Sequence, residues 1–86
     1  MNIHIESESF FIKFNETHYE CVPMEKNGRI IYQIKFPGST IYLTQAKGLN
    51  GKQFWTSVPQ DSKLSHIVSI IGKQIENKKS NYHVLL

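Results

Sequence analysis

The stretch Tyr19–Phe36, YECVPMEKNGRIIYQIKF, decides the fold. At its centre Asn27-Gly28 is a favoured pair for a two-residue type I′ hairpin, because both central positions of that turn need φ > 0. Centring the turn there pairs Met24 with Ile31, Val22 with Gln33, Cys21 with Ile34 and Tyr19 with Phe36. Side chains alternate across a strand, so this one register already assigns each residue of the hairpin to a face.

Working outward, five runs rich in β-branched and aromatic residues read as strands: 10–14, 18–24, 29–36, 40–46 and 52–57. Residues 1–9 offer a further edge strand through Ile3 and Ile5. A turn at Glu16-Thr17 pairs Phe14 with Tyr19, Ile12 with Cys21 and Lys13 with Glu20. A turn at Gly38-Ser39 pairs Phe36 with Ile41, Ile34 with Leu43 and Lys35 with Tyr42. Placing that turn at Pro37-Gly38 instead slides the strands by two and keeps the faces. The independent turns agree on one inner face: Phe10, Ile12, Phe14, Tyr19, Cys21, Ile30, Tyr32, Ile34, Phe36, Ile41 and Leu43. The segment 47–51 leaves two readings. A tight turn at Asn50-Gly51, the one expected, puts Trp55 outside opposite Ala46 and Phe54 inside; a five-residue loop reverses them.

A helix follows over about 61–79, with Asp61 as N-cap and Pro59 marking the end of the last strand. Leu64, Ile67, Val68, Ile71 and Ile75 form one apolar stripe at helical spacing, which covers the inner face of the sheet. Gly72 inside a helix costs about 1 kcal/mol against Ala, which implies a close approach to the sheet. Lys78-Lys79 complement the C-terminal dipole. Asn77, Ser80 and Asn81 are read as ending the helix before an apolar tail, Tyr82–Leu86. The expected architecture is α+β: an antiparallel β-meander of four to five strands with one C-terminal helix packed on one sheet face. All 86 residues form a single domain.

Composition narrows the class. At 40% hydrophobic and 12% aromatic residues the chain is globular rather than disordered. No segment approaches the roughly 18 apolar residues of a membrane span, and no secretory signal opens the chain. A lone Cys21 allows no internal disulfide and suits a reducing compartment, so a cytoplasmic location is expected. The net charge of +3 is unevenly spread. Residues 1–25 set Lys13 against five glutamates, a balance of −4, whereas residues 26–86 set nine Lys/Arg against Asp61 and Glu76, a balance of +7. Such asymmetry serves either an acidic partner or neutralisation between neighbouring strands.

Signals for catalysis are nearly absent. His4, His18, His66 and His83 are scattered without metal-ligand spacing. Asp61 is better used as a cap than as a base, and Cys21 falls on the inner face as a buried thiol. The glycines sit in turns or in the helix and cradle no phosphate. The expectation is therefore a protein that is not an enzyme, with no cofactor, no metal and no small-molecule substrate.

The outer face carries Phe11, Lys13, Glu20, Val22, Met24, Ile31, Gln33, Lys35, Tyr42, Thr44, Ala46 and Trp55, less polar than a solvated sheet face normally is. The derived register puts Met24, Ile31, Ala46 and Trp55 in one row and Lys13, Glu20, Lys35 and Tyr42 in another. Three covers are open: the chain's own termini, a second copy, or a ligand. A homodimer would use Phe11, Val22, Met24, Ile31 and Trp55, with Tyr82 and Leu85 of the tail. A single-stranded nucleic acid would use Lys13, Arg29, Lys35, Tyr42, Lys52 and Trp55, which combine cations with stacking rings. An accessory subunit of a larger complex could use the same apolar patch.

The ββββα order over residues 10–79 resembles a single PUR-type repeat, a module whose repeats intertwine and whose sheets can bind single-stranded nucleic acid. That resemblance implies a homodimer, with one repeat per chain. The segment Phe54-Trp55-Thr56-Ser57-Val58-Pro59 is also similar to one in small uncharacterised bacterial proteins. Similar architecture does not transfer function.

Overall fold

The computed structural model describes residues 9–85, with side chains as far as Lys78. The edge strand expected in residues 1–9 lies outside the described residues except for Ser9, which is exposed and irregular. Five strands, β1 (Phe10–Phe14), β2 (Thr17–Lys26), β3 (Arg29–Phe36), β4 (Ser39–Lys47) and β5 (Gln53–Ser57), form one antiparallel sheet in sequence order. A 3-10 turn, Ser62–Leu64, leads into helix α1, Ser65–Leu85. Asp61 caps this entry, its side chain accepting from the Lys63 N–H at 3.0 Å.

Turn chemistry sets each register. Asn27 (φ 55) and Gly28 (φ 77) form the β2–β3 turn, and Met24 faces Ile31, Val22 faces Gln33 and Cys21 faces Ile34 as the sequence requires. The β1–β2 turn sits one residue earlier than expected, at Asn15 (φ 53) and Glu16 (φ 65), so Ile12 pairs with Tyr19 and Phe10 with Cys21. Thr17, being β-branched, is a poor occupant of left-handed space, whereas Asn15 tolerates it. The β3–β4 turn takes the Pro37-Gly38 alternative and pairs Phe36 with Ser39. The proline ring presets the first turn position and Gly38 supplies φ 75 at the second. Both shifts move strands by two residues, so parity survives.

The β4–β5 connection differs in parity as well. Gly48 N–H donates to the Lys52 carbonyl at 2.8 Å and Gly51 N–H to the Gly48 carbonyl at 3.0 Å, closing a five-residue loop. The Asn50 side chain accepts from the Lys52 N–H and fixes the loop further. Gln45 therefore faces Trp55 and Ala46 faces Phe54. The expected outward position of Trp55 is corrected: its ring lies on the inner face, and Phe54 points out.

The helix also outruns its expected end near Lys79. No Gly or Pro occurs between Asn77 and Leu85, and Asn and Ser are mediocre helix formers rather than breakers. The tail residues Tyr82 and Leu85 thus belong to helical backbone, and their side chains lie outside the described set.

The core joins Ile12, Cys21, Tyr32, Ile34 and Leu43 of the sheet to Val68, Ile71 and Ile75 of α1. Full burial of each large aliphatic chain contributes about 1.5–3 kcal/mol. Tyr19 packs on Phe36 at 4.5 Å between ring centroids and Phe14 meets Phe36 edge-on at 6.3 Å. Pro23 is buried within β2, where the described pairing with β1 has ended at Cys21.

Candidate functional site

The face of the sheet opposite α1 is open among the described residues. The observed registers align Val22, Gln33, Tyr42 and Val58 across it. Beside them run Met24, Ile31, Thr44 and Thr56, and then Lys26, Arg29, Ala46 and Phe54. The row expected to hold Met24, Ile31, Ala46 and Trp55 is thereby corrected, with threonines replacing its last two members. The expected row of Lys13, Glu20, Lys35 and Tyr42 becomes Phe11, Glu20, Lys35 and Thr40.

An apolar band remains. Phe11 is 60% exposed, Phe54 47%, Val58 38% and Tyr42 36%, while Val22, Met24, Ile31 and Ala46 are half-buried between them. Thr44 is buried, and its hydroxyl is satisfied there by donating to the Ile30 carbonyl at 2.8 Å. Of the expected interface residues, Phe11, Val22, Met24 and Ile31 share this face and Trp55 does not. Phe54 and Val58 were missed because both depend on the length of the 48–52 loop.

The cationic candidates are dispersed. Lys13 lies 3.7 Å from Glu16 and Lys35 lies 4.0 Å from Glu20, so two of them are locally compensated. Arg29 and Lys52 are exposed at the far ends of β3 and the β4–β5 loop. The Tyr42 hydroxyl is met by Gln33 Nε2 at 3.4 Å. With the Trp55 ring beneath α1, the face loses the larger of its two proposed stacking platforms.

The two edges of the sheet are treated differently. On β1, the Gln74 side chain of α1 accepts from the Lys13 N–H at 2.7 Å and its amide donates to the Lys13 carbonyl. One amide thus stands in for a neighbouring strand and blunts this edge. At β5, a groove of about 500 Å³ runs alongside the strand and the helix that packs on it. Trp55, Ser57 and Val68 line its floor, and Ser62, Ser65, Ser69, Lys73 and Glu76 line its helical wall. Trp55 Nε1 donates to Glu76 Oε2 at 2.6 Å, and the ring meets Tyr32 edge-on at 5.5 Å. Ser57 Oγ accepts from the Asp61 N–H at 2.9 Å and donates to the Pro59 carbonyl at 3.0 Å, tying β5 to the helix entry.

Chemistry within the described residues is sparse. They contain no group of three or more His, Cys, Asp or Glu able to hold a metal ion. Burial pushes the Cys21 thiol up to about 12, which leaves it protonated and unreactive at neutral pH. No helix among the described residues is long and apolar enough to cross a membrane.

No family model and no solved structure matches the chain significantly. It is similar to one stretch of an E3 ubiquitin-protein ligase, APD2, from Arabidopsis thaliana, at 34% identity over 89 aligned positions. The match covers 84% of this chain and 20% of the ligase, so the chain spans about a fifth of that relative's length.

Proposed function

We propose that this chain is a non-catalytic interaction module that self-associates through the outer face of its sheet. The observation that carries the reading is the band of Phe11, Val22, Met24, Ile31, Tyr42, Phe54 and Val58 on the face that α1 leaves bare. Aromatic residues and Met are enriched at interfaces, and charged residues are depleted from their centres. Here the centre of the band, Val22, Met24, Ile31 and Tyr42, holds no charged residue; Glu20 and Lys35 share a row with Phe11 at one margin, and Lys26 and Arg29 share one with Phe54 at the other. A two-fold contact needs only one self-complementary patch, and a single apolar band with charged margins meets that requirement.

Similarity to part of a ubiquitin ligase is compatible with this role, because this chain's lone cysteine is not suited to group transfer. Cys21 is fully buried and its pKa is raised. A module of this kind would supply contacts rather than chemistry to a larger assembly. Binding of single-stranded nucleic acid is the weaker reading, since Lys13 and Lys35 have acidic neighbours and Trp55 lies inside.

Sedimentation equilibrium tests the proposal. The wild type is expected to dimerise in the micromolar range, and Met24→Asp or Ile31→Lys to shift it to monomer without loss of the folded spectrum. A wild type that stays monomeric at high micromolar concentration would refute self-association. An oligonucleotide affinity falling steeply with log salt would favour the nucleic-acid reading instead.

A further inference from the structure

We infer that the free edge of β5, with the groove beside it, takes an extended peptide strand from another protein, carrying an acidic side chain next to Lys73. This site shares β5 with the outer face, since Phe54 and Thr56 line its rim, but its backbone groups and its inner lining on α1 take no part in the self-association band.

The backbone geometry comes first. Val58 N–H donates to the Tyr42 carbonyl, and Gly48 N–H to the Lys52 carbonyl, at the two ends of the β4–β5 ladder. Hydrogen-bonded and non-hydrogen-bonded pairs alternate along an antiparallel ladder. Thr44–Thr56 and Ala46–Phe54 are therefore the bonded pairs, and the N–H and C=O groups of Gln53 and Trp55 turn outward. The equivalent groups of Lys13, on the opposite edge, are closed by Gln74. Among the described residues the fold blunts one edge at Lys13 and leaves the other open, and an open edge is a template for strand addition.

The groove then selects the side chains. A strand added to β5 places alternate residues on the inner side, over Trp55 and against the helical wall. Both acidic lining residues are engaged within the chain: Glu76 accepts from the Trp55 ring N–H and Asp61 from the Lys63 N–H. Lys73 is exposed and makes no ion pair among the described residues. Among the described residues it is the one lining cation, and it favours a carboxylate at the inward position.

The size of the site argues for a peptide rather than a second copy. β5 spans five residues, and pairing two strands of that length buries far less than the roughly 1,200 Å² of a standard interface. A short segment docked between strand and helix needs no more than this edge and this groove.

The test uses the full 86-residue chain and a fluorescein-labelled Thr-Val-Glu-Val-Thr peptide in an anisotropy titration. Saturable binding below about 1 mM is expected, weakened about tenfold when Lys replaces the peptide's Glu. Lys73→Glu should reverse that preference. Methylating the peptide amides that face β5 should abolish binding, as should Gln53→Pro, which removes an outward N–H without touching the β4 ladder. Should Gln53→Pro misfold, the methylated peptide still decides the matter with the wild type. No saturation at about 1 mM, equal binding of the methylated peptide, or an unchanged preference in Lys73→Glu would each overturn the inference. Sedimentation of the same samples separates this outcome from that of the outer face: loss of peptide binding with an intact dimer removes only the groove.

Discussion

Gly72 of α1 lies directly over the indole of Trp55. A Cβ at position 72 would fall 2.6 Å from Trp55 Cδ1 and 2.8 Å from Cδ2, distances that real contacts do not reach. Both atoms belong to a ring that Tyr32 meets edge-on at 5.5 Å and that Glu76 holds at its nitrogen, which restrains its retreat. Gly72→Ala gains about 1 kcal/mol of helix propensity and incurs overpacking of about 1–3 kcal/mol. The net expectation is destabilisation, read as a lower urea midpoint with an unchanged m-value. Combining it with Trp55→Phe, which shrinks the ring, should recover part of the loss as a coupling between the two positions.

Gln74 predicts a different kind of defect. Its amide serves both backbone groups of Lys13, 61 residues away in sequence. Gln74→Leu leaves those groups without partners, at a cost of about 1–3 kcal/mol if water does not replace the amide. Gln74→Glu keeps an acceptor for the Lys13 N–H and loses the donor for its carbonyl. Hydrogen exchange at the Lys13 amide should therefore accelerate in Gln74→Leu and stay slow in Gln74→Glu. Light scattering should also rise in Gln74→Leu, since β1 becomes an unprotected edge.

Gly72 and Trp55 also mark how far the sequence could be read. A glycine within an apolar helical stripe implies a close approach, and Ile12, Cys21, Ile34 and Leu43 fall on one face by parity alone. Slips of two residues at Asn15-Glu16 and Pro37-Gly38 are harmless to that parity. What Gly72 approaches was hidden, because the side of the sheet taken by Trp55 depends on the 48–52 loop. Asn50-Gly51 is a good tight-turn pair, but the Gly48 N–H, the Asn50 side chain and the Lys52 backbone bond one another across a longer loop. That choice rests on three hydrogen bonds, which composition does not rank. The groove beside β5 was hidden for the same reason, since an outward Trp55 would have left no floor to it.

The β1–β2 turn offers a stabilising substitution. Glu16 holds φ 65, a conformation costing a non-glycine residue about 1–2 kcal/mol. Glycine would remove that strain, while loosening the unfolded chain by about 0.5–1 kcal/mol. The Lys13–Glu16 contact at 3.7 Å is lost as well, but Glu16 is almost fully exposed and a pair of that kind contributes little. Glu16→Gly should raise the melting temperature by a few degrees. Asn27→Gly at the next hairpin should do less, because Asn already tolerates left-handed backbone. Thermal unfolding followed by circular dichroism checks both, and a lower melting point for Glu16→Gly would contradict the strain argument.

Cys21 gives stability a pH dependence with a definite sign. Its thiol is fully buried on the inner face, and burial moves its pKa from 9.0 to about 12. The folded state thus holds this proton more tightly than the unfolded chain does. The contribution is complete below pH 9 and declines as pH rises through the window from 9.0 to about 12. The slope there is up to about 1.4 kcal/mol per pH unit for one proton. The informative quantity is the difference from Cys21→Ala, which has no thiol to ionise. The variant starts less stable because of the cavity it leaves, and the gap to the wild type should narrow as the solution becomes more alkaline. A thiol reagent offers an independent check at neutral pH. Labelling should proceed no faster than global unfolding and should quicken in urea, whereas rapid labelling of the native protein would mean that Cys21 is neither buried nor held protonated.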